Sequence, residues 1–251
     1  MLHHTRGVSL VGILAITDLH GAWEHLDAVI EAASALTAHE RYQVDHVFFL
    51  GDLGTSEEEP REQREMARKL GSVLHHAFDV PIYALPGNRD YKVEVNEGFE
   101  EGGIHLLERK PLACDGWVFI GIGGCQVESN PRYKAGGGYY LWGEGDDEIL
   151  RLREMIEKHE KDSYLCIVSH QQPHNTVFTL DLNRKANGST ILRRVLMHHR
   201  PEVWMLGHMH HRNKDFVSGK VHECLFFRLE QVFVDPDHTQ RGTGRAFGYF
   251  K

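Results

Sequence analysis

The chain has 251 residues, 41% hydrophobic and 25% charged, the composition of a folded globular protein rather than a disordered one. Its formal net charge of −8 argues against a long nucleic-acid backbone as partner, and fits a protein that holds cations or, equally well, a charged surface that serves solubility. Cys114, Cys125, Cys166 and Cys224 lie far apart with no CxxC pair, which argues against a zinc ribbon or disulfide scaffold and predicts a reducing compartment, the cytoplasm.

Residues 9–17, "SLVGILAIT", are a short, continuous apolar run that predicts a fully buried strand. With Arg6 ahead of it the run has a passing likeness to a signal peptide, but Asp18 ends it and no small-residue cleavage site follows cleanly. No other apolar run approaches the roughly 20 residues of a spanning helix, so no membrane partner is expected. Leu26, Val29, Ile30, Ala33 and Leu36 recur at three- and four-residue spacing and predict a helix. "HVFFL" (46–50) predicts a second buried strand, ending at Gly51-Asp52. The charged run 56–70 opens a second helix, and "VPIYAL" (80–85) predicts a third strand, ending at Pro86-Gly87. Strand–helix–strand–helix–strand is a crossover pattern with parallel strands, and ligands collect at the carboxyl ends of such strands.

Beyond residue 90 the pattern shortens. "GIHLL", "KPLAC" and "WVFIGIGG" read as strands, and the stretch 128–148, rich in glycine and aromatics, reads as a loop. Its Tyr133, Tyr139, Tyr140 and Trp142 either stack on a nucleobase or pack over the sheet. A helix is predicted over about 146–161, a strand at "YLCIVSH" ending on His170, a helix near 189–199, and a strand at "EVWMLGH" ending on His208. The tail, about 213–251, is β-rich, with runs such as "ECLFFRL" and "QVFVD". "GTGRAFG" imitates a dinucleotide-binding fingerprint without the strand–helix context that would give it meaning. No linker or repeat divides the chain, so a single domain over 1–251 is expected.

Five strand ends carry donors: Asp18 and His20, Asp52, Asn88, His170, and His208 with His210. Each motif alone is background. Together they point to one shared site, because several buried carboxylates and imidazoles are costly unless cations satisfy them. "DLH" (18–20), "GD" (51–52), "GNRD" (87–90), "SH" (169–170) and "GHMH" (207–210) resemble the signature of the calcineurin-like metallophosphoesterases, in particular their small microbial branch. The resemblance spans about residues 9–212.

The resemblance implies an α/β fold of two mixed β-sheets packed face to face with helices outside, a four-layer α/β/β/α sandwich. It implies two divalent transition-metal ions, manganese first, with iron, zinc, nickel or cobalt also suited to mixed nitrogen and oxygen donors. One ion would take Asp18, His20 and His210, the other Asn88, His170 and His208, with Asp52 bridging. The implied reaction is in-line attack of a metal-bridging hydroxide on a phosphate mono- or diester, with a small phosphorylated substrate, nucleotide-like if the aromatic loop stacks. A non-catalytic metal-binding or scaffold protein on the same fold is the alternative reading.

The chain departs from the family at Arg89, where the family has a histidine taken to help the leaving group. Arginine cannot act as a general acid near neutral pH, but it offers a permanent charge and a forked donor to phosphate oxygens. The expected catalytic loop is therefore Asn88, Arg89 and Asp90, with Arg89 as electrostatic clamp and substrate contact, and Asp90 pairing with it. His174, four residues past His170, is the candidate for a second substrate contact and for the missing proton.

Overall fold

The computed structural model describes residues 11–38, 43–55, 57–127, 140–174, 176, 188–208, 218–229 and 247–250. The chain first forms β1 (Ile13–Ile16), α1 (Trp23–Thr37), β2 (His46–Phe49), α2 (Pro60–Ala77), β3 (Ile82–Ala84), α3 (Lys92–Glu101) and β4 (His105–Leu106). It continues with β5 (Leu112–Cys114), β6 (Trp117–Ile122), β7 (Cys125–Gln126), β8 (Leu141–Trp142), α4 (Asp147–His159), β9 (Tyr164–Ser169), α5 (Thr190–His199) and β10 (Val203–Leu206). Three further strands are β11 (Ser218–Val221), β12 (Cys224–Arg228) and β13 (Phe247–Phe250).

Two mixed sheets result. In the first, β1 to β4 are parallel and β13 adds antiparallel to β1. In the second the order is β11-β12-β10-β9-β6-β5, with β6, β9, β10 and β12 parallel and β5 and β11 antiparallel at its edges. Alternation along each strand explains the layering. Leu14 and Ile16 of β1 join the core under α1 to α3, while Ile13 and Ala15 join a core shared with Phe119, Cys166, Val168 and Met205 of the second sheet. Residues Ile120, Ile167 and Trp204 face the third core, under α4 and α5. Three apolar layers between four structural layers make the expected α/β/β/α sandwich. The sheets meet through contacts such as Phe48 against Phe119, edge to face at 5.4 Å.

Several local expectations change. The helix α3 is absent from the sequence reading, because Val93, Glu94 and Val95 alternate as a strand does and Gly98 interrupts the helical signal. Tertiary contact overrides both: Val95 and Phe99 are buried against α2. Residues 141–142, read as loop, form β8 and pair parallel with β7. Tyr140 and Trp142 are buried in the core under α4 and α5, so they pack rather than wait for a base; Tyr133 and Tyr139 lie outside the described residues. The last two residues of "GTGRAFG", Phe247 and Gly248, lie in β13, antiparallel to β1, and the rest of the motif lies outside the described residues. The run "QVFVD" lies outside the described residues. Among the described residues no helix is long and apolar enough to cross a membrane.

The α2–α3 contact depends on absent side chains. A Cβ on Gly98 would sit 2.2 Å from the Arg64 carbonyl, and one on Gly71 would sit 2.2 Å from that of Gly102. Alanine at 98 would favour an isolated helix by about 1 kcal/mol. Here the clash outweighs that gain. Gly98→Ala is expected to lower the free energy of unfolding by about 1–3 kcal/mol in urea titration, and a more stable variant would show that the helices can move apart at no cost.

Candidate metal centre

The donors sit on loops that leave the carboxyl ends of β1, β2, β3, β9 and β10, and those loops cross almost backbone to backbone. A Cβ on Gly51 would lie 2.3 Å from the Gly87 nitrogen, and one on Gly87 would lie 2.1 Å from both the backbone nitrogen and Oδ1 of Asp52. One on Gly207 would lie 2.2 Å from the Thr17 hydroxyl oxygen and 2.9 Å from Asp18 Oδ2. The glycines before Asp52, Asn88 and His208 are thus required by proximity. Gly51 additionally has φ +93°.

The donor residues themselves carry unusual backbone. Asp18, His20, Asp52 and His208 all have positive φ, between 45° and 67°. Such conformations persist in non-glycine residues only where the surroundings over-determine them, and they concentrate at functional sites. Here hydrogen bonds supply the restraint. The N–H groups of Asp18 and His20 donate to the Gly51 and Asp52 carbonyls at 2.9 and 3.0 Å. Asp18 Oδ2 accepts from the Thr17 hydroxyl at 2.6 Å and from the His208 N–H at 3.0 Å.

Two donor groups share one carboxylate. Asp18, His20 and Asp52 form the first, and Asp52, His170 and His208 the second, with ligand atoms within 4.8 Å of one another in each. His20 Nε2 lies 3.7 Å from Asp18 Oδ1 and 3.7 Å from Asp52 Oδ2. On the other side His170 Nε2 lies 3.4 Å from Asp52 Oδ1, 3.0 Å from Asn88 Oδ1 and 3.2 Å from His208 Nδ1. The His20 and His170 rings are aimed from behind: Nδ1–H of His20 donates to the Gly54 carbonyl at 3.2 Å, and that of His170 to the Leu50 carbonyl at 2.7 Å. Each bond turns Nε2 toward the cluster, the arrangement by which proteins orient histidine ligands. Six of the seven expected metal ligands are therefore brought together; His210 lies outside the described residues.

The electrostatics fit cations. Asp18, Asp52, Asn88, Asp90 and His170 are all buried. Burial would raise the Asp52 carboxyl, but His170, followed by His20, holds it well below the usual range. Burial would lower the His170 imidazole, yet Asp52 and then Asp18 push it up to about 9. Left to itself the cluster thus recruits a proton as counter-charge. A nitrogen–oxygen donor set around buried carboxylates suits divalent transition metals, whose uptake displaces such protons.

The loop residues divide. The expected Asp90–Arg89 pair is not made. The buried Asp90 carboxylate turns inward and accepts backbone N–H groups from Gly87 (2.6 Å), Leu53 (3.0 Å) and Gly54 (3.5 Å). Three desolvated donors need an acceptor there, and an outward turn toward a guanidinium would orphan them. Burial, then the nearby Asp52 charge, pushes the Asp90 carboxyl up to about 6. Arg89 is half-buried, and its N–H donates to Asp52 Oδ1 at 2.9 Å. Its guanidinium makes no hydrogen bond or ion pair among the described residues. Burial would lower the His20 imidazole, but the Asp18 and Asp52 carboxylates raise it above its usual value, with the Arg89 charge opposing them weakly. His174 is half-buried, tied through its backbone N–H to the Ser189 carbonyl at 2.8 Å.

Sequence reading missed Gln63. This buried residue donates to the carbonyls of Thr55 (2.8 Å) and Arg89 (3.1 Å) and accepts from the Tyr91 N–H (2.8 Å), so it stitches two ligand loops. Its signal was available: a polar residue on the stripe of α2 that otherwise holds Ala67, Leu70 and Leu74.

With fold and donors in place, the comparisons agree. The family model for calcineurin-like phosphoesterases matches residues 11–212. The chain belongs to the calcineurin-like phosphoesterase family, whose members are generally metal-dependent phosphoesterases. Among solved structures it is similar to TT1561 of Thermus thermophilus, with 16% identity, TM-score 0.65, and 89% and 91% of the two chains covered. It is also similar to a dimetal phosphatase from Danio rerio, with 12% identity, TM-score 0.57, and 89% and 88% covered. A third similar fold, at 11% identity and TM-score 0.53, is GAP50, described as the anchor in the inner membrane complex of Plasmodium, with 87% and 70% covered. No curated protein matches the chain in sequence.

The Asp52–His170 coupling is directly measurable. In metal-free protein, Asp52→Asn removes the larger of the two charges that raise His170, so its imidazole is expected to titrate well below 9 by NMR, with only Asp18 left to oppose the effect of burial. An unchanged His170 titration would show that another group carries the effect.

Proposed function

We propose that this chain is a dinuclear-metal phosphoesterase hydrolysing a phosphate mono- or diester. The observation that supports it most directly is the position of Asp52, common to both donor groups with His20 on one side and His170 on the other. In this reading Asp18, His20 and His210 would hold one ion and Asn88, His170 and His208 the other, with Asp52 shared between the two groups. Manganese is the first candidate, then iron, zinc, nickel or cobalt. When bound, such a pair supplies Lewis acidity toward phosphate oxygens and an acidified water.

The remaining work falls to the chain. Asp90 fixes the loop through three backbone N–H groups, and Gln63 fixes its far side. Between them Arg89 presents a cation that cannot lose its proton, suited to hold phosphate oxygens as charge develops on them. It stabilises a departing oxygen electrostatically and does not protonate it. His174 is the candidate for a second substrate contact and for delivery of that proton. The substrate is small and phosphorylated, because net charge −8 disfavours a polyanion. The free cysteines suit a cytoplasmic location, and residues 1–251 act as a single domain.

Hydrolysis of bis(p-nitrophenyl) phosphate and p-nitrophenyl phosphate after reconstitution with Mn²⁺ tests the reading, with chelation abolishing turnover. Two bound metal equivalents without hydrolysis of any mono-, di- or cyclic phosphate would favour the scaffold alternative. Leaving groups of low pKa are expected to react far faster than simple alkyl phosphates; a rate independent of leaving-group pKa would contradict Arg89 acting by charge alone and would favour proton delivery by an acid such as His174. Arg89→Ala is expected to lower kcat by about 10²–10³-fold with metal still bound, whereas Arg89→His retains or raises activity. Loss of turnover in the histidine variant, with its metals in place, would assign Arg89 a role that histidine cannot fill.

A further inference from the structure

Behind the loop 86–90 lies a buried polar cluster that the chemistry above leaves unused. Glu108, just beyond β4, is buried and accepts the Gly123 N–H at 3.0 Å and the Tyr140 hydroxyl at 2.7 Å, both on Oε1. The Tyr140 N–H donates to the Asn88 carbonyl at 3.2 Å, and the Tyr140 carbonyl accepts from Cys125 at 3.0 Å. Lys92, the first residue of α3, holds its ammonium 4.4 Å from the centroid of the Tyr140 ring and also pairs with Glu148 of α4. Beside them the Gly124 N–H donates to the Pro86 carbonyl at 2.9 Å.

We infer that Tyr140 is a positioning residue for the Asn88 side of the metal centre. Its ring is clamped between Lys92 and Glu108, and its backbone grips the carbonyl of the one expected ligand that has neither a charge nor an imidazole. A neutral amide oxygen attracts a cation less strongly than a carboxylate does, so its contribution depends most on being held in place beforehand. Asn88 Oδ1 lies 3.0 Å from His170 Nε2, and small shifts of its backbone would break that convergence. The ordinary alternative is that Tyr140 only fills space, as its burial under α4 would allow. The two differ in selectivity. A space-filler weakens the whole fold, whereas a brace on Asn88 weakens one metal site of two. The inference rests on the dinuclear-metal reading above.

Mn²⁺ titration calorimetry of the full chain separates them. Tyr140→Phe keeps the ring and loses the bond to Glu108. It is expected to raise the Kd of one Mn²⁺ site by roughly 10–100-fold, the usual cost of losing an outer support, while the other stays within about two-fold. Glu108→Gln, whose amide oxygen accepts the same two donors, is expected to bind both ions as the parent does; Glu108→Ala is expected to behave as Tyr140→Phe. In the background of Asn88→Ala, the Tyr140→Phe effect is expected to vanish. Equal weakening of both sites, no weakening of either, or full additivity with Asn88→Ala would overturn the inference. Should Tyr140→Phe not fold, Glu108→Ala provides the same readout. Two bound ions without hydrolysis in the parent would defeat the phosphoesterase reading and leave this comparison decisive, while a parent that binds no Mn²⁺ would overturn both.

Discussion

The structure depends on how closely the ligand loops approach one another. Gly51 meets Gly87, Gly87 meets Asp52, and Gly207 meets Thr17 and Asp18, each at distances where any Cβ would intrude. This crossing lets the short aspartate and asparagine side chains of the first sheet's loops meet one another and the histidines that follow β9 and β10 of the second. The positive φ values at Asp18, His20, Asp52 and His208 belong to the same requirement. The backbone turns sharply after each strand so that the donor points back over the sheet end, and hydrogen bonds between the loops hold it there.

That crossing concentrates charge where little water can reach it. Three buried carboxylates, Asp18, Asp52 and Asp90, share the space, and they divide the work. Asp18 and Asp52 face the imidazoles, while Asp90 faces backbone N–H groups and acts as a strut. The arrangement explains why an arginine is tolerated beside it. A guanidinium at position 89 needs no carboxylate of its own in a neighbourhood already rich in negative charge.

Much of this was legible in the chain. Apolar runs that end on Asp18, Asp52, Asn88, His170 and His208 announce parallel strands with polar tips and the donor set, whereas the sandwich was legible only as what the family resemblance implies. The helix α3 was not legible, because its valine–glutamate alternation and internal glycine imitate another structure until α2 is placed beside it. The direction of Asp90 was equally hidden, since the groups it bonds at Leu53 and Gly54 come from a loop 36 or 37 residues away. Glu108 and Tyr140 carry no motif; they are 32 residues apart, and only the docking of the two halves brings them together. Gln63 was readable in principle as a polar gap in an apolar stripe.

Sequence separation has a further consequence. Asp18 receives its hydrogen bond from a residue 190 positions later, and the Leu50 carbonyl is met by a ring 120 positions later. Closing such long loops costs little more than closing moderate ones, about 0.6 kcal/mol for each doubling, but it cannot happen before the distant segment exists. During synthesis the first sheet therefore emerges before His170 and the His208 N–H exist to meet Asp52 and Asp18, and with the edge of β1 bare until β13 pairs along it. Completion of the donor cluster is consequently a late event in the life of each molecule, and the half-made chain is the form most exposed to mispairing.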